Sequence, residues 1–251
     1  MRGLITLILM AVALGSAAQT ADVTVMSYNI RNGNGMDGRC DLRRVAEVIK
    51  SVCPDVVALQ EVDSMTGRSG NVDVMGELAR LTGLHPYYAP AIDYDGGKYG
   101  IGLLSRQQPL CLRLEPLPGR EEARTLFVAD FQHFTFVGTH LSLTGDDRIA
   151  SLKIINAITD TCSRPVFVAG DFNDNPGSEF MRSVSEKYRV LTCPENPTYP
   201  SDTPVETLDY IITPKAVAPE IKVRWAKVIA DTIASDHRPV AIGLSLLGRF
   251  R

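Results

Sequence analysis

Asp171, Asn173, Asp174 and Asn175 crowd the stretch GDFNDNP (170–176), directly after the apolar run Val166–Ala169. A run of that kind forms a buried strand. Asp, Asn, Gly and Pro also build turns for local backbone reasons. Taken alone, the stretch therefore supports two readings, a turn or a site. The site reading has a physical basis: open α/β sheets bind ligands where strands end. If the backbone stays extended, Asp171 and Asn173 share a face, because strand side chains alternate.

The same placement recurs along the chain. Asn29 ends a strand-like segment in SYNI, Glu61 follows another in LQEV, and His140 closes a third in GTHL. Asp236 and His237 precede the last apolar segment in SDHRP, and Asp209 lies inside an apolar stretch, TLDYI. A buried carboxylate is costly unless paired or metal-bound, so Asp209 calls for a histidine partner. Asn29, Glu61, Asp171 and Asp236 offer hard oxygen atoms, which suit Mg²⁺, Mn²⁺ or Ca²⁺ better than zinc. His140 and His237 are available for proton transfer. A divalent cation in an oxygen shell together with a His–Asp pair suits hydrolysis of a phosphoester: the cation offsets phosphoryl charge and the base activates water. His85 and His133 have no partner motif and are assigned no role. Asp146 and Asp147 start a helix and are expected to favour its dipole.

The elements that position these groups follow from hydrophobic periodicity. Strands are predicted at Asp22–Ile30, Val56–Leu59, Tyr99–Ser105, Leu110–Leu114, Thr125–Phe131, Phe134–Leu141, Val166–Ala169, Leu208–Ile212, Ile221–Val228 and Pro239–Leu246. Helices are predicted at Asp41–Ile49 with Asp41 as N-cap, at Asn71–Thr82 ending on Gly83, and at Asp146–Thr161. The order begins βαβα, passes through a block of strands and returns to mixed αβ. That suits mixed sheets packed together with helices outside, an α+β class. No repeat or low-complexity linker divides residues 22–247, which read as one domain.

The chain has 251 residues, is 45% hydrophobic and carries a formal charge of −3, enough for a sizeable core. Without a basic tail or like-charge block, strong nonspecific nucleic-acid binding is not expected; Arg106, Arg113, Arg120 and Arg124 are the residues that could form a local basic patch. Arg2, the apolar run Leu4–Leu14 and Ser16-Ala17-Ala18 describe a secretory signal peptide over residues 1–18, too short for a comfortable membrane span. A secreted or periplasmic location is expected, and a monomer. Five cysteines, with no closely spaced pair, indicate neither a disulfide framework nor a zinc site.

SYNI, LQEV, YGIGLLSR, GTHL, GDFN, LDYI and SDHRPV, in this order, resemble the endonuclease/exonuclease/phosphatase family, the fold of pancreatic-type deoxyribonuclease. The resemblance spans nearly all of residues 22–247. It implies a four-layer αββα sandwich of two mixed β-sheets flanked by helices, with the site on the edge where the sheets meet. It also implies roles. Glu61 is the main metal ligand, with Asn29 and Asp236 close by and Mg²⁺ or Mn²⁺ as the cofactor. His237, oriented by Asp209, is the general base or phosphate-polarising histidine. Asp171 positions or deprotonates water, Asn173 holds a phosphoryl oxygen, and His140 assists the leaving group or binds phosphate. Tyr99 and Arg124 contact phosphate. Glu122-Ala123-Arg124 stands where members often show Glu-Pro-Arg, and Gly102 replaces a more usual polar or small residue, which is expected to alter pocket shape. The segment Ala91–Gly100 is expected to form a pocket wall.

The resemblance implies a metal-dependent hydrolase of ester bonds, in the first place an exported phosphodiesterase. Its substrate would be a small-molecule or lipid-linked phosphoester. A DNA or RNA nuclease is the alternative within the class, and a binding protein with a dead site is the alternative outside it. Retention of Glu61, Asp171 and His237 argues against the dead site. Features that mark apurinic-site nucleases, inositol-polyphosphate phosphatases and membrane-entering sphingomyelinases are not evident.

Overall fold

The computed structural model describes residues 19–248; the expected signal peptide lies outside the described residues. In chain order the elements are β1 (Gln19–Asn29), α1 (Leu42–Val52), β2 (Val56–Ser64), α2 (Val74–Thr82), β3 (His85–Tyr94), β4 (Gly97–Ser105), β5 (Cys111–Leu117), β6 (Arg124–Asp130), β7 (Thr135–His140), α3 (Gly145–Asp160), β8 (Val166–Asp171), α4 (Glu179–Lys187), β9 (Tyr188–Val190), β10 (Asp209–Pro214), β11 (Ile221–Val228) and β12 (Val240–Gly248). Local chemistry sets the helix ends. Asp41 caps α1 by accepting from the Arg43 amide at 2.9 Å, and Asp73 caps α2 through the Gly76 amide at 3.1 Å. Gly83 closes α2 at φ 75°, a left-handed turn that glycine adopts without strain.

Two six-stranded sheets form, in the orders β11-β12-β1-β2-β4-β3 and β5-β6-β7-β8-β10-β9. Each is mixed: β1 runs parallel to β2 and β7 parallel to β8, and the remaining pairs are antiparallel. Their inner faces pack against each other through Val25, Ala58, Leu103 and Ile242 on one side and Phe127, Phe136, Phe167 and Ile211 on the other. The outer face of the first sheet is covered by Val45, Ile49 and Leu78 of α1 and α2. Leu152, Ile155, Phe180 and Val184 of α3 and α4 cover the second. The layers are therefore α, β, β, α, as the resemblance implied. Among the described residues no helix is long and apolar enough to cross a membrane, and the five cysteines are all unpaired.

The structure corrects several expectations. β3, α4 and β9 were not predicted. β3 is an edge strand carrying Pro86 and Pro90, tolerated there because an edge needs fewer ladder donors. α4 has nine residues and β9 three, too short for a periodic signal. β2 does not stop at Leu59 but continues to Ser64, with a bulge between Leu59 and Val62. Gly102 does not face the site: a Cβ there would lie 2.3 Å from Met75 Sδ of α2, so it lets that helix approach the sheet.

Candidate active site

Strand register gathers the polar groups before any side chain is considered. His140 on β7 stands beside Asp171 on β8, and Asp171 stands beside Asp209 on β10. Three adjacent strands thus present three functional residues in one row. In the other sheet, Asn29 at the end of β1 stands beside Gln60 of β2. The next residue, Glu61, has φ 55°. At a bulge an extra residue is left unpaired and its side chain is re-aimed; Glu61 is that residue, carried inside β2 rather than after it.

The two rows meet through Asn29. Its Nδ2 donates to Glu61 Oε1 at 3.0 Å and to Asp171 Oδ2 at 3.1 Å. The Asn29 Oδ1 accepts the Arg31 amide at 3.1 Å. Asp171 Oδ2 lies 3.7 Å from His237 Nε2 and 3.6 Å from His140 Nε2. His237 Nδ1 and Asp209 Oδ2 are 2.9 Å apart. Glu61, Asn29, Asp171, His237 and Asp209 are consequently linked in one chain of contacts, with Asn29 fully buried and Asp171 and Asp209 at 1% exposure. The loop bearing His237 is fastened to β1 by Ser235 Oγ, which donates to the Asn29 carbonyl at 2.7 Å.

Asn173 follows both readings of its sequence at once. Its φ is 52°, so the backbone turns rather than staying extended. Its amide donates back to Asp171 Oδ1 at 2.9 Å, the local turn that Asp favours. Its Nδ2 donates to the Leu141 carbonyl at 2.8 Å, which ties the 173 side chain to the His140 strand end. Asp236 sits one residue before His237 and pairs with Arg31 at 3.3 Å.

Arg124 is buried at 7% exposure. Its Nη1 lies 2.9 Å from Glu122 Oε1 and 3.2 Å from His140 Nδ1, and Nη2 lies 3.3 Å from Glu121 Oε1. A guanidinium only donates. His140 Nδ1 must therefore accept, which puts the imidazole proton on Nε2, toward Asp171. Tyr99, Glu122, Arg124 and His140 line one narrow recess beside this cluster. The hairpin segment Ala91–Gly100 contributes Ala91, Tyr99 and Gly100 to that wall.

Burial and charge set the proton affinities. Burial pushes the Asp171 carboxyl well above its usual range; the His237 charge opposes this and Asp209 adds to it. Burial pulls His237 down, but Asp209 and Asp171 outweigh it and raise the imidazole to about 10. His140 is held well below the ordinary histidine value by burial first, then by the Arg124 and His237 charges. One histidine thus favours its charged form and the other its neutral form.

A divalent metal is tested by the donors present. Glu61, Asp171 and Asp236 supply carboxylate oxygens, and Asn29 Oδ1 keeps a second lone pair beyond the one used by Arg31. Among the described residues, Asp171, Asp209 and His237 bring potential ligand atoms within 4.8 Å of one another. The Asp209 Oδ1 in it is buried without a hydrogen-bond partner. An oxygen-rich set of this kind fits a hard cation.

Each of the four arginines considered for a basic patch has a carboxylate partner. Arg106 pairs with Asp55, Arg113 with Asp130, Arg120 with Asp146 and Asp147, and Arg124 with Glu121 and Glu122. Sequence reasoning also missed contributors. Arg31, Glu121 and Glu122 hold site residues, and the Tyr199 ring lies 4.9 Å from the His237 ring. Glu121 and Glu122 were readable as charges adjoining Arg124. Nothing in the sequence links Tyr199 to His237.

The model of the Endonuclease/Exonuclease/phosphatase family matches residues 26–237. No curated protein matches the chain. Among similar solved structures, an endonuclease/exonuclease/phosphatase from Beutenbergia cavernae is 23% identical, covering 91% of this chain and 72% of its own, with a TM-score of 0.71. A mannosyl-6-phosphatase from Bacteroides thetaiotaomicron is 17% identical, with 88% and 98% coverage and a TM-score of 0.68. The human Nocturnin catalytic domain, with bound sulfate, is 20% identical, with 91% and 97% coverage and a TM-score of 0.67. At these identities the likeness speaks for the fold. With the model match over most of the length and the strand-end cluster in place, the chain belongs to the Endonuclease/Exonuclease/phosphatase family, a family of divalent-metal-dependent hydrolases of phosphoester bonds.

Proposed function

We propose that the protein is an exported Mg²⁺- or Mn²⁺-dependent phosphodiesterase. One observation carries the reading: Glu61, Asn29, Asp171, His237 and Asp209 form an unbroken contact chain at the edge of the two sheets. The expected leader at residues 1–18 supports the exported location.

The residues divide the work by geometry. Asp209 binds His237 at Nδ1, which fixes the ring and leaves Nε2 toward Asp171. Asp171, with its raised proton affinity, takes the proton from the attacking water, while the charged His237 beside it donates from Nε2 to a phosphoryl oxygen. His140 presents a neutral Nε2–H, a donor suited to a phosphoryl or leaving-group oxygen. Asn173 is held by Leu141 where its second amide hydrogen serves the same phosphoryl group, and Tyr99 and Arg124 form the wall beside it. Glu61, Asn29 Oδ1 and Asp236 would hold the cation, which when bound supplies charge neutralisation at the phosphoryl oxygens.

Long nucleic acids are disfavoured as substrates. Their binding rests on clustered cations, and the arginines in question are each tied to a carboxylate. The mannosyl-6-phosphatase among the similar structures supports including sugar phosphates in the first screen. The test is turnover of bis(p-nitrophenyl) phosphate, nucleotides, DNA, sugar phosphates and phospholipid head groups by the purified protein with Mg²⁺ or Mn²⁺. Turnover of a diester that a chelator abolishes is expected. Metal binding by folded protein with no turnover across the screen would instead mean a binding protein.

A further inference from the structure

The hairpin joining β3 and β4 and the loop after β2 are locked together beside Glu61. Asp95 and Gly96 both have positive φ, 46° and 79°, and Tyr94 pairs with Gly97 across them. This is the two-residue hairpin turn that Asp-Gly favours. Gly97 is required there, because a Cβ would lie 2.2 Å from the Ser64 carbonyl. The Asp95 carbonyl accepts the Gly67 amide at 2.9 Å and its Oδ2 accepts the Arg68 amide at 2.6 Å.

Arg68 then reaches back along the wall. Its Nε and Nη2 each donate to the fully buried Asp63 carboxylate at 2.7 Å. Thr66 Oγ1 donates to the same carboxylate at 2.6 Å. The guanidinium carbon sits 4.3 Å from the Tyr94 ring centre and 5.4 Å from that of Tyr99, both within cation–π range. Asp63 and Tyr99 are register partners. Tyr99 is 8% exposed; burial holds its phenol well above the ordinary tyrosine value, Glu61 and Glu122 add to this, and Arg124 and Arg68 oppose it. The fork to Asp63 and the stack on the two rings together define the geometry of Arg68.

We propose that Arg68, gripped by Asp63 and laid against Tyr94 and Tyr99, is a positioning residue that fixes the Tyr99 phenol at the phosphate-binding wall. The inference rests on the phosphodiesterase reading for what Tyr99 contacts, but not for the clamp itself. Lysine cannot replace this arginine, because it has neither a planar fork nor a stacking face.

The test is a double-mutant cycle between Arg68→Lys and Tyr99→Phe, with Tyr94→Leu as a second probe that leaves the Asp63–Arg68 pair intact. Two quantities are read: kcat/KM for bis(p-nitrophenyl) phosphate with Mn²⁺, and calorimetric affinity for inorganic phosphate with Mn²⁺. Arg68→Lys and Tyr94→Leu are each expected to lower both by about tenfold. In the Tyr99→Phe background the losses shrink to less than about twofold, because coupled residues are non-additive. Equal losses in both backgrounds, or no loss in either variant, would overturn the clamp. If Arg68→Lys melts early, Tyr94→Leu decides. A wild type that binds phosphate without turning over the diester fails the functional reading alone, and the affinity cycle still judges the clamp. A wild type that binds no phosphate overturns both.

Discussion

Asn29 decides how two acidic residues coexist at the edge where the two sheets meet. Its Nδ2 donates to both Glu61 and Asp171, so one neutral amide separates two carboxylates that would repel. Asn29→Asp replaces that donor with a third carboxylate, at a fully buried position. Without metal the substitution is expected to cost about 3 to 5 kcal/mol, read as a lower denaturant midpoint, and a divalent cation should restore part of it. Unchanged stability in chelator would mean that Asn29 does not bridge. His237 gives a pH prediction. Below the unfolded histidine value of roughly 6.5 the stabilisation from its raised affinity is fully present. As pH rises toward about 10, the unfolded chain has released a proton that the folded chain keeps, so stability falls with pH. Metal-free protein should lose on the order of 5 °C of melting temperature between pH 6.5 and 9.5. Asp209→Asn should flatten that slope; parallel curves would contradict the pairing.

Register between β7, β8 and β10 places the chemistry, and Gly170 protects that register. A Cβ at Gly170 would lie 2.1 Å from the Thr139 carbonyl, one residue from both Asp171 and His140. Gly170→Ala is therefore expected to cost about 1 to 3 kcal/mol and to lower kcat far more than KM, by parting His140 from Asp171. A chemical melt and steady-state kinetics check this; wild-type values would show that the strands tolerate the methyl. Much of this level was legible in sequence. β8 is buried at every position, so its apolar run read correctly, and the polar residues that end β1, β7 and β8 marked its edge. Asp209 in its apolar stretch correctly called for a histidine. Other features were illegible for physical reasons. The Glu61 bulge depends on pairing with β4, the Arg124–His140 contact depends on β6 lying beside β7, and Pro86 and Pro90 disguise β3 as a loop.

At the scale of the whole molecule, the site exists because two sheets with separate hydrogen-bond ladders press their inner faces together. Asn29 and Glu61 come from one sheet and His140, Asp171 and Asp209 from the other, while Phe127, Phe136 and Phe167 fill the space between. Phe167→Ala should cost about 3 to 5 kcal/mol and weaken metal affinity as well, because the rows would no longer be held at a fixed separation. Loss of stability with intact metal affinity would argue that one sheet suffices. The convergence itself is tested most directly by kcat/KM for bis(p-nitrophenyl) phosphate, with saturating Mn²⁺, in wild type, Asp171→Ala, His237→Ala and the double variant. Groups that act as one unit are strongly non-additive. Each single variant should fall by about 10³-fold or more, and the double variant scarcely further. Single variants with near wild-type rates, or losses that multiply in the double variant, would contradict a shared site.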